Sequence, residues 1–321
     1  MQPLRTRLTS LLERLWLAGA PLTGVGLLML ALLAVSVAGL WADPRTITGA
    51  PAWLKPAKFA ASIAIYTLTL AWVFTYLAAW TRTRRVVGWT TAVVMVVEWA
   101  IIALQAWRGT TSHFNVGTPL DATLFSVMGG AIVLQTFLSI AVAVALWRQR
   151  FDDRALGWAL RLGMTITIIG ALSGGLMTRP TAEQFELLRA GQPVAIVGGH
   201  TVGAPDGGVG LPGTGWSTEH GDIRVAHFLG LHALQALALL ALVLGHRRSL
   251  DRTRARVVIV AGASYALLFA LFLWQALGGE SVFNPAATTL AALATWAAAT
   301  AGATWIVMTP ARATHVHAIQ Y

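Results

Sequence analysis

The sequence predicts an all-α, polytopic integral membrane protein: a bundle of about eight transmembrane helices with both termini in the cytoplasm. Hydrophobic residues make up 56% of the 321 residues and charged residues only 11%, and the mean hydropathy is +0.65. A soluble domain has about 25% charged residues, so this chain has too little polar surface to cover itself in water. It contains no cysteine, which excludes disulfides, thiolate metal sites and cysteine nucleophiles.

Eight stretches are long and apolar enough to cross a bilayer, which takes about 20 residues. Charged or Gly/Pro-rich breaks separate them, and together they make residues 1–321 a single membrane domain. The first span is expected to be an uncleaved helix, preceded by an amphipathic helix at the membrane interface over residues 4–17. The predicted spans are 22–41, 59–80, 86–107, 122–146, 162–178, 224–245, 257–278 and 286–308.

The arginines and lysines set the predicted orientation. Sixteen of the 23 lie at the two termini or in the connections 81–85, 147–161 and 246–256. Because Arg and Lys are enriched in cytoplasmic loops, both termini are predicted to be cytoplasmic and the chain to lie in the plasma membrane. The net charge of +10 is therefore a topology signal that favours membrane lipids, and not nucleic acid, as partners.

The long connection 179–223 is predicted to lie on the outer side and to begin with a short interfacial helix. Thr181 is a suitable N-cap, and Gln184 completes a capping box. Residues 208–213 match the string G-x-G-x-x-G, but a dinucleotide site also needs a strand before it and a helix after it. Neither is predicted, so we expect no nucleotide cofactor and instead a glycine-rich loop over the outer mouth of the bundle.

The sixth predicted span carries a polar sector. At 100° per residue along an unbroken helix, Arg224, His227, His232 and Gln235 share a sector of about 140°. Such a sector must face the bundle interior or a water-filled cavity, because lipid cannot satisfy it. We predict that these four residues bind a cofactor.

Glu98 lies near the middle of the third span, where a charged group costs about 2.5–3.5 kcal/mol to insert. We predict that it is catalytic and that it pairs with His232. Lys55 and Lys58, the only lysines, flank Pro56 at the outer start of the second span. They are predicted to bind a cofactor through an anionic headgroup, a haem propionate or a quinone oxygen, with snorkelling to the interface as the alternative.

Histidines gather on the predicted outer side. His113, His200 and His227 come from two connections and one helix start, and we predict that they hold a transition metal. Imidazole suits zinc, copper and iron, and in a chain without cysteine it is the natural axial ligand of haem b. The alternative is that these histidines only form hydrogen bonds between helices.

Three classes of function fit these residues, and the sequence favours the first of them over the other two. The first is a haem- or metal-binding redox protein that transfers electrons, with a quinone or another small lipophilic molecule as partner. The second is a metal-dependent membrane hydrolase or transferase, in which Glu98 or Glu219 activates a water bound to the metal. The third is a proton-coupled transporter of small solutes.

Overall fold

The computed structural model describes residues 4–245 and 251–309, and it is 73% helical. Two antiparallel ribbons pair β1 (Thr46–Ile47) with β2 (Ala50–Pro51), and β3 (Thr201–Val202) with β4 (Gly221–Asp222). A 3₁₀ turn, Gly174–Thr178, follows the fifth helix. The α-helices of the described residues are α1 (Leu4–Ala42), α2 (Leu54–Phe74), α3 (Thr81–Arg108), α4 (Pro119–Arg148), α5 (Arg154–Ser173), α6 (Ala182–Arg189), α7 (Ile223–Leu231), α8 (Ala233–Gly245), α9 (Asp251–Leu277) and α10 (Ala287–Met308).

The predicted all-helical architecture is confirmed. Within the described ranges, seven helices are long and apolar enough to cross a membrane, and the bent pair α7–α8 brings the number to eight if it forms one span. Three arginines that entered the orientation argument, Arg247, Arg248 and Arg312, lie outside the described residues.

The first helix is longer than the predicted span 22–41 and contains a kink. Gly19 leaves the helical conformation, with φ −163° and ψ 68°, and Pro21 follows two residues later. Proline has no backbone N–H and clashes with the preceding turn, so a helix bends where it occurs. The kink joins the predicted amphipathic segment to the first span as one bent helix.

The second helix begins at Leu54, five residues before the start of the predicted span 59–80. It ends at Phe74, six residues before the end of that span. The hydropathy argument excluded the two lysines, but Lys55 and Lys58 lie inside the first two turns of α2. Pro56 does not prevent this, because the first turn of a helix needs no N–H from it. Residues 75–80 form turns instead.

The sixth predicted span is broken. Its two halves, α7 and α8, meet at His232 and differ in direction by 45°. Side chains of neighbouring helices bind the backbone at the break: Thr167 accepts from the Leu234 N–H at 3.2 Å, and Tyr265 donates to the Leu229 carbonyl at 2.7 Å. These bonds allow an irregular backbone at membrane depth. The predicted polar sector assumed one straight helix, and it therefore does not hold beyond His232.

Glycines on α5 bring it against α7 and α8 at very short range. A Cβ on Gly170 would lie 2.5 Å from the carbonyl carbon of Gly230, and a Cβ on Gly163 would lie 2.7 Å from Cα of Leu234. Small residues allow helix backbones to approach closely where lipid gives no hydrophobic driving force. This contact fixes the position of α7 relative to the end of α5.

The connections at one end of the bundle are hydrogen-bonded to one another and form a cap, which comprises residues 43–53, 109–118, 174–222 and 278–286. We call the cap and the helix ends next to it the loop end. Arg45 donates to the Trp107 carbonyl at 2.9 Å, Val197 N–H to the Phe114 carbonyl at 2.8 Å, and Gly221 N–H to the Gly279 carbonyl at 2.8 Å.

Two predicted features of the long connection are present in this cap. Helix α6 begins with a capping box formed by Thr181 and Gln184. The segment 208–213 belongs to a hairpin, in which the Leu211 N–H donates to the Trp216 carbonyl at 2.8 Å. Gly213 and Gly215 adopt positive φ there, which permits the tight turn.

Candidate functional site

Three histidines predicted as metal ligands lie at the loop end, each on a different element. His113 lies between α3 and α4, His200 directly before β3, and His227 on α7. Nδ1 of each ring is within hydrogen-bond distance of a neighbour. For His113 this is the Ser112 hydroxyl at 3.0 Å, for His200 the Asp206 carboxylate at 2.9 Å, and for His227 the Gly170 carbonyl at 2.8 Å. Within the described residues, Nε2 of each ring makes no hydrogen bond.

The position of His227 depends on how α5 ends. The Gly174 N–H bonds to the carbonyls of Ala171 and Leu172 and not to that of Gly170, so the Gly170 carbonyl is available to another donor. Helices leave their last carbonyls without intrahelical partners. Because a carbonyl only accepts, Nδ1 of His227 carries the hydrogen. Gly174 also leaves room for the ring, since a Cβ there would lie 3.0 Å from Cε1 of His227.

His200 is oriented by Asp206, six residues further along the cap. The carboxylate bonds to Nδ1 of His200 and accepts the backbone N–H groups of His200 and Thr201 at 3.1 and 2.8 Å. Burial acts to raise the pKa of Asp206, but the hydrogen bonds from His200 and Thr201 outweigh it and bring the pKa to about 2. Asp206 is therefore a carboxylate at neutral pH, and it fixes the imidazole tautomer that leaves Nε2 free.

His113 is enclosed by aromatic rings. Its centroid lies 5.7 Å from that of Phe59 and 6.1 Å from that of Phe114. Burial lowers the pKa of His113 well below 6.5, and the positive charges of Lys55, His200 and His227 lower it further. His113 is therefore neutral at physiological pH, which is the form that binds a metal.

The lowered pKa of His113 makes the stability of the protein dependent on pH. Below pH 6.5 the unfolded chain takes up a proton at this position and the folded chain does not, so stability is lost as the pH falls. One proton corresponds to about 1.4 kcal/mol per pH unit. We expect the melting temperature in detergent to fall from pH 7 to pH 5, and His113→Gln to reduce that dependence. His220→Gln, a change in the same cap, is the control, and an unchanged slope in His113→Gln would contradict the assignment.

Lys55 lies at the centre of the charged groups of this end. It interacts electrostatically with Lys58, Arg224, Asp206 and Glu98, but makes no hydrogen bond within the described residues. Trp99 on α3 donates to the Pro56 carbonyl at 3.1 Å and so holds α3 against the first turn of α2. The lysine thereby comes close enough to Glu98 to interact with it.

Glu98 is 2% exposed, as a polar group facing the bundle interior should be. Its Oε1 has no hydrogen-bond partner within the described residues. The predicted pairing with His232 stays a prediction, and the charged group that acts on Glu98 is Lys55. The sequence argument overlooked Lys55 because it placed this residue outside the helix, whereas α2 begins at Leu54. The catalytic role of Glu98 stays a prediction.

Arg224 and Lys58 bind the cap. Arg224 forms an ion pair with buried Asp222 at 2.6 Å, and Asp222 also caps α7 by accepting the Arg224 N–H. Lys58 donates to the Thr214 carbonyl at 3.0 Å, and Arg224 to that of Gly215. Within the described structure both side chains hold the 208–217 hairpin on the bundle, which accounts for their positions without a cofactor.

His232 and Gln235 are not brought to the three histidines. His232 caps α7 at the break, and its ring packs on Phe228 with 4.3 Å between centroids. Oε1 of Gln235 has no hydrogen-bond partner among the described residues. Sequence reasoning missed Asp206 and the Gly170 carbonyl as groups that orient histidines. A carboxylate six residues after His200 was a weak signal for the first, and a backbone carbonyl gave no signal at all.

The described residues contain no group of three or more His, Asp or Glu side chains close enough to hold a metal ion as they stand. His113, His200 and His227 are nevertheless near enough for their charges to act on one another. The described residues form a mostly helical protein whose long apolar helices could span a membrane, with His113, His200 and His227 on three different elements at one end of the bundle. Comparison of the chain with models of protein families, with curated proteins and with solved structures gives no match.

Proposed function

We propose that the loop end binds a transition metal ion through Nε2 of His113, His200 and His227 and uses it for hydrolysis or group transfer. The observation that supports this most is that all three rings are held at Nδ1, which leaves Nε2 without a hydrogen bond in the described residues. Histidines that bind metals almost always donate their other ring N–H to a carboxylate, a carbonyl or water. Asp206 and the Gly170 carbonyl are groups of this kind.

Metal binding would have to draw the three rings together, because they do not form a closed coordination shell as they stand. His200 lies in a segment bordered by Gly198 and Gly203, both with positive φ. The ribbon β3–β4 and the Ile223 N–H, which donates to the His200 carbonyl at 3.0 Å, tie that segment to α7. Three imidazoles with a fourth position left open form a typical catalytic zinc site.

Glu98 and Lys55 supply the groups that such a reaction needs beside the metal. A buried carboxylate oxygen without a partner can accept a proton from water, so Glu98 would be the general base. The oxygen of that water would bond to the electrophilic carbon or phosphorus of the substrate while its proton passes to Glu98. The bond to the leaving group would then break, and the leaving group would take that proton from Glu98. Lys55, which has no hydrogen bond of its own in the described residues, would bind an anionic oxygen of a lipophilic substrate.

The other two classes of function place different demands on the same residues. Haem b held by two imidazoles would need them on opposite faces of the porphyrin, with His113 or His200 as the ligand beside a histidine of the sixth predicted span. Proton-coupled transport would use Glu98 and Lys55 without a metal. No distance or contact of the described residues favours either of these classes over the metal site.

Metal analysis and an absorption spectrum of the same purified sample test the proposal. We expect about one zinc or other transition metal ion per chain, and loading with Co²⁺ should give the visible bands of a nitrogen-ligated ion. His113→Ala, His200→Ala and His227→Ala should each abolish stoichiometric metal. Asp206→Asn should lower metal affinity about 10-fold to 100-fold, because it removes the group that orients His200.

His220→Ala is the matched control, since it removes a histidine of the same cap, and it should keep the metal. A preparation that binds no metal, or that loses it equally in His220→Ala, would refute the site. A Soret band that disappears in His113→Ala or His227→Ala would instead assign haem and the redox class.

A further inference from the structure

A second polar site lies at the opposite end of the bundle, beside the kink in α1. A cavity of about 280 Å³ opens there between the kink and the first turns of α3. Residues 17–21 of α1 form one wall, and Thr81, Arg84, Arg85 and Trp89 form the other. No acidic side chain among the described residues lines the cavity. It shares no residue with the histidine cluster.

Arg84 is fixed in the cavity wall by the kink. Its Nε donates to the Ala18 carbonyl at 3.2 Å, and its Nη2 donates to the same carbonyl at 2.5 Å. The distortion at Gly19 frees that carbonyl from the helix ladder, so the kink orients the guanidinium. Nη1 of Arg84 makes no hydrogen bond within the described residues. One edge of a positioned guanidinium therefore remains open.

Arg85 adds a second positive charge next to the first. Its side chain is exposed and forms no ion pair in the part of the chain that the structure describes. Thr81 adds a hydroxyl at the start of α3, a helix whose first turn contains no acidic residue and whose N-cap side chain forms no capping bond. The guanidinium groups of Arg84 and Arg85, the Thr81 hydroxyl and the backbone N–H groups at the start of α3 are all hydrogen-bond donors. Together they favour binding of an anion with several oxygen atoms.

The surface around the cavity is aromatic and apolar. Trp89 is 63% exposed, and Trp16 and Leu17, on the α1 side, are 52% and 84% exposed. Exposed tryptophans of membrane proteins sit at the level of the lipid headgroups. The cationic cavity therefore opens where phosphate groups of the bilayer would meet it.

We propose that this cavity binds a phosphoryl group through Arg84 and Arg85. Such a group has two sources: the headgroup of an anionic phospholipid, with its acyl chains along Trp16, Leu17 and Trp89, or free inorganic phosphate. The site is independent of any metal at the loop end. Ligand binding would be coupled to the angle of the α1 kink, because Arg84 would bind the ligand as well as the Ala18 carbonyl at the kink.

Native mass spectrometry of the detergent-solubilised full chain tests the proposal. The probes are phosphatidylglycerol, the zwitterionic phosphatidylcholine, and inorganic phosphate alone. The wild-type protein should retain one phosphatidylglycerol in preference to phosphatidylcholine. Arg85→Gln should weaken this retention about tenfold, because a charge-assisted contact is lost. Arg82→Gln removes an exposed arginine of the same turn that does not line the cavity, and it should retain the lipid.

The probes also distinguish the two sources. Retention of phosphatidylglycerol in the presence of excess inorganic phosphate would assign the site to the lipid. A rise in melting temperature with inorganic phosphate alone, absent in Arg85→Gln, would assign it to free phosphate. Equal loss of lipid in Arg82→Gln and Arg85→Gln, or equal retention of both phospholipids by a wild-type protein whose melting temperature inorganic phosphate does not raise, would overturn the site.

Discussion

Replacing Gly170 with valine is expected to prevent correct packing of α5 against α7. A Cβ at this position would lie 2.5 Å from the carbonyl carbon and 2.6 Å from Cα of Gly230. Both are backbone atoms, so a rotamer change cannot relieve the overlap, and the helices must separate. Forced overpacking costs about 1–3 kcal/mol in ordinary cores and more where the backbone must shift.

The separation would also remove the partner of His227, since the same glycine provides the carbonyl that Nδ1 binds. We therefore expect Gly170→Val to lose both its monodisperse elution in detergent and any bound metal. Gly175→Ala is the control, because no atom of the described part of the chain lies within 4 Å of a Cβ there. A Gly170→Val protein with the wild-type melting temperature would show that the close approach of these helices is not required.

Removing Lys55 or Glu98 alone is expected to destabilise the protein more than removing both. Glu98 is buried, and Lys55 is the charged group that acts on it. Lys55→Met leaves the carboxyl group without its positive neighbour, and Glu98→Leu removes one of the two carboxyl groups, Glu98 and Asp206, that act on the lysine. Loss of one partner of a buried pair costs about 3–5 kcal/mol when the contact is direct. These groups form no direct ion pair in the described residues, so we expect about 1–2 kcal/mol from each single change.

The double variant Lys55→Met/Glu98→Leu should recover part of that loss, and melting curves in detergent measure the coupling. Lys58→Met combined with Glu98→Leu is the matched control. Lys58 lies one turn from Lys55 on the same helix but binds the Thr214 carbonyl of the cap, so the effects of these two changes should add. Additive effects for Lys55 and Glu98 would show that the two charges do not stabilise each other.

Much of the fold could be predicted from the sequence, because long apolar segments in a charge-poor chain have few alternatives to helices that satisfy their own backbone. The residues at which the helices end or break could not be predicted in this way. Hydropathy excluded Lys55 and Lys58 from α2, although a lysine can lie in a first turn if its ammonium group reaches polar neighbours. The break at His232 depends on Thr167 and Tyr265, which are far from it in sequence.

The candidate site could be predicted only as a set of residue types. His113, His200 and His227 could be singled out because histidine is the ligand that remains in a chain without cysteine, and Glu98 because a membrane carboxyl group is costly. Their partners depend on tertiary geometry. Lys55 acts on Glu98 from the first turn of α2, which begins at Leu54. His227 is oriented by a carbonyl of α5 that no side-chain pattern reveals.

The hydrogen bond between His227 and Gly170 also bears on the order in which the chain is inserted into a membrane. The two residues are 57 positions apart, so α5 leaves the ribosome well before its partner helix. In the interval the Gly170 carbonyl has only the Ser173 hydroxyl of its own helix as a partner, and the glycine face meets lipid or translocon instead of Gly230. Synthesis runs from the N-terminus, and the metal site proposed here would therefore assemble late, when α7 arrives. A nascent chain stalled after α6 would contain Lys55, Glu98, His113 and the Gly170 carbonyl, but neither His200 nor His227.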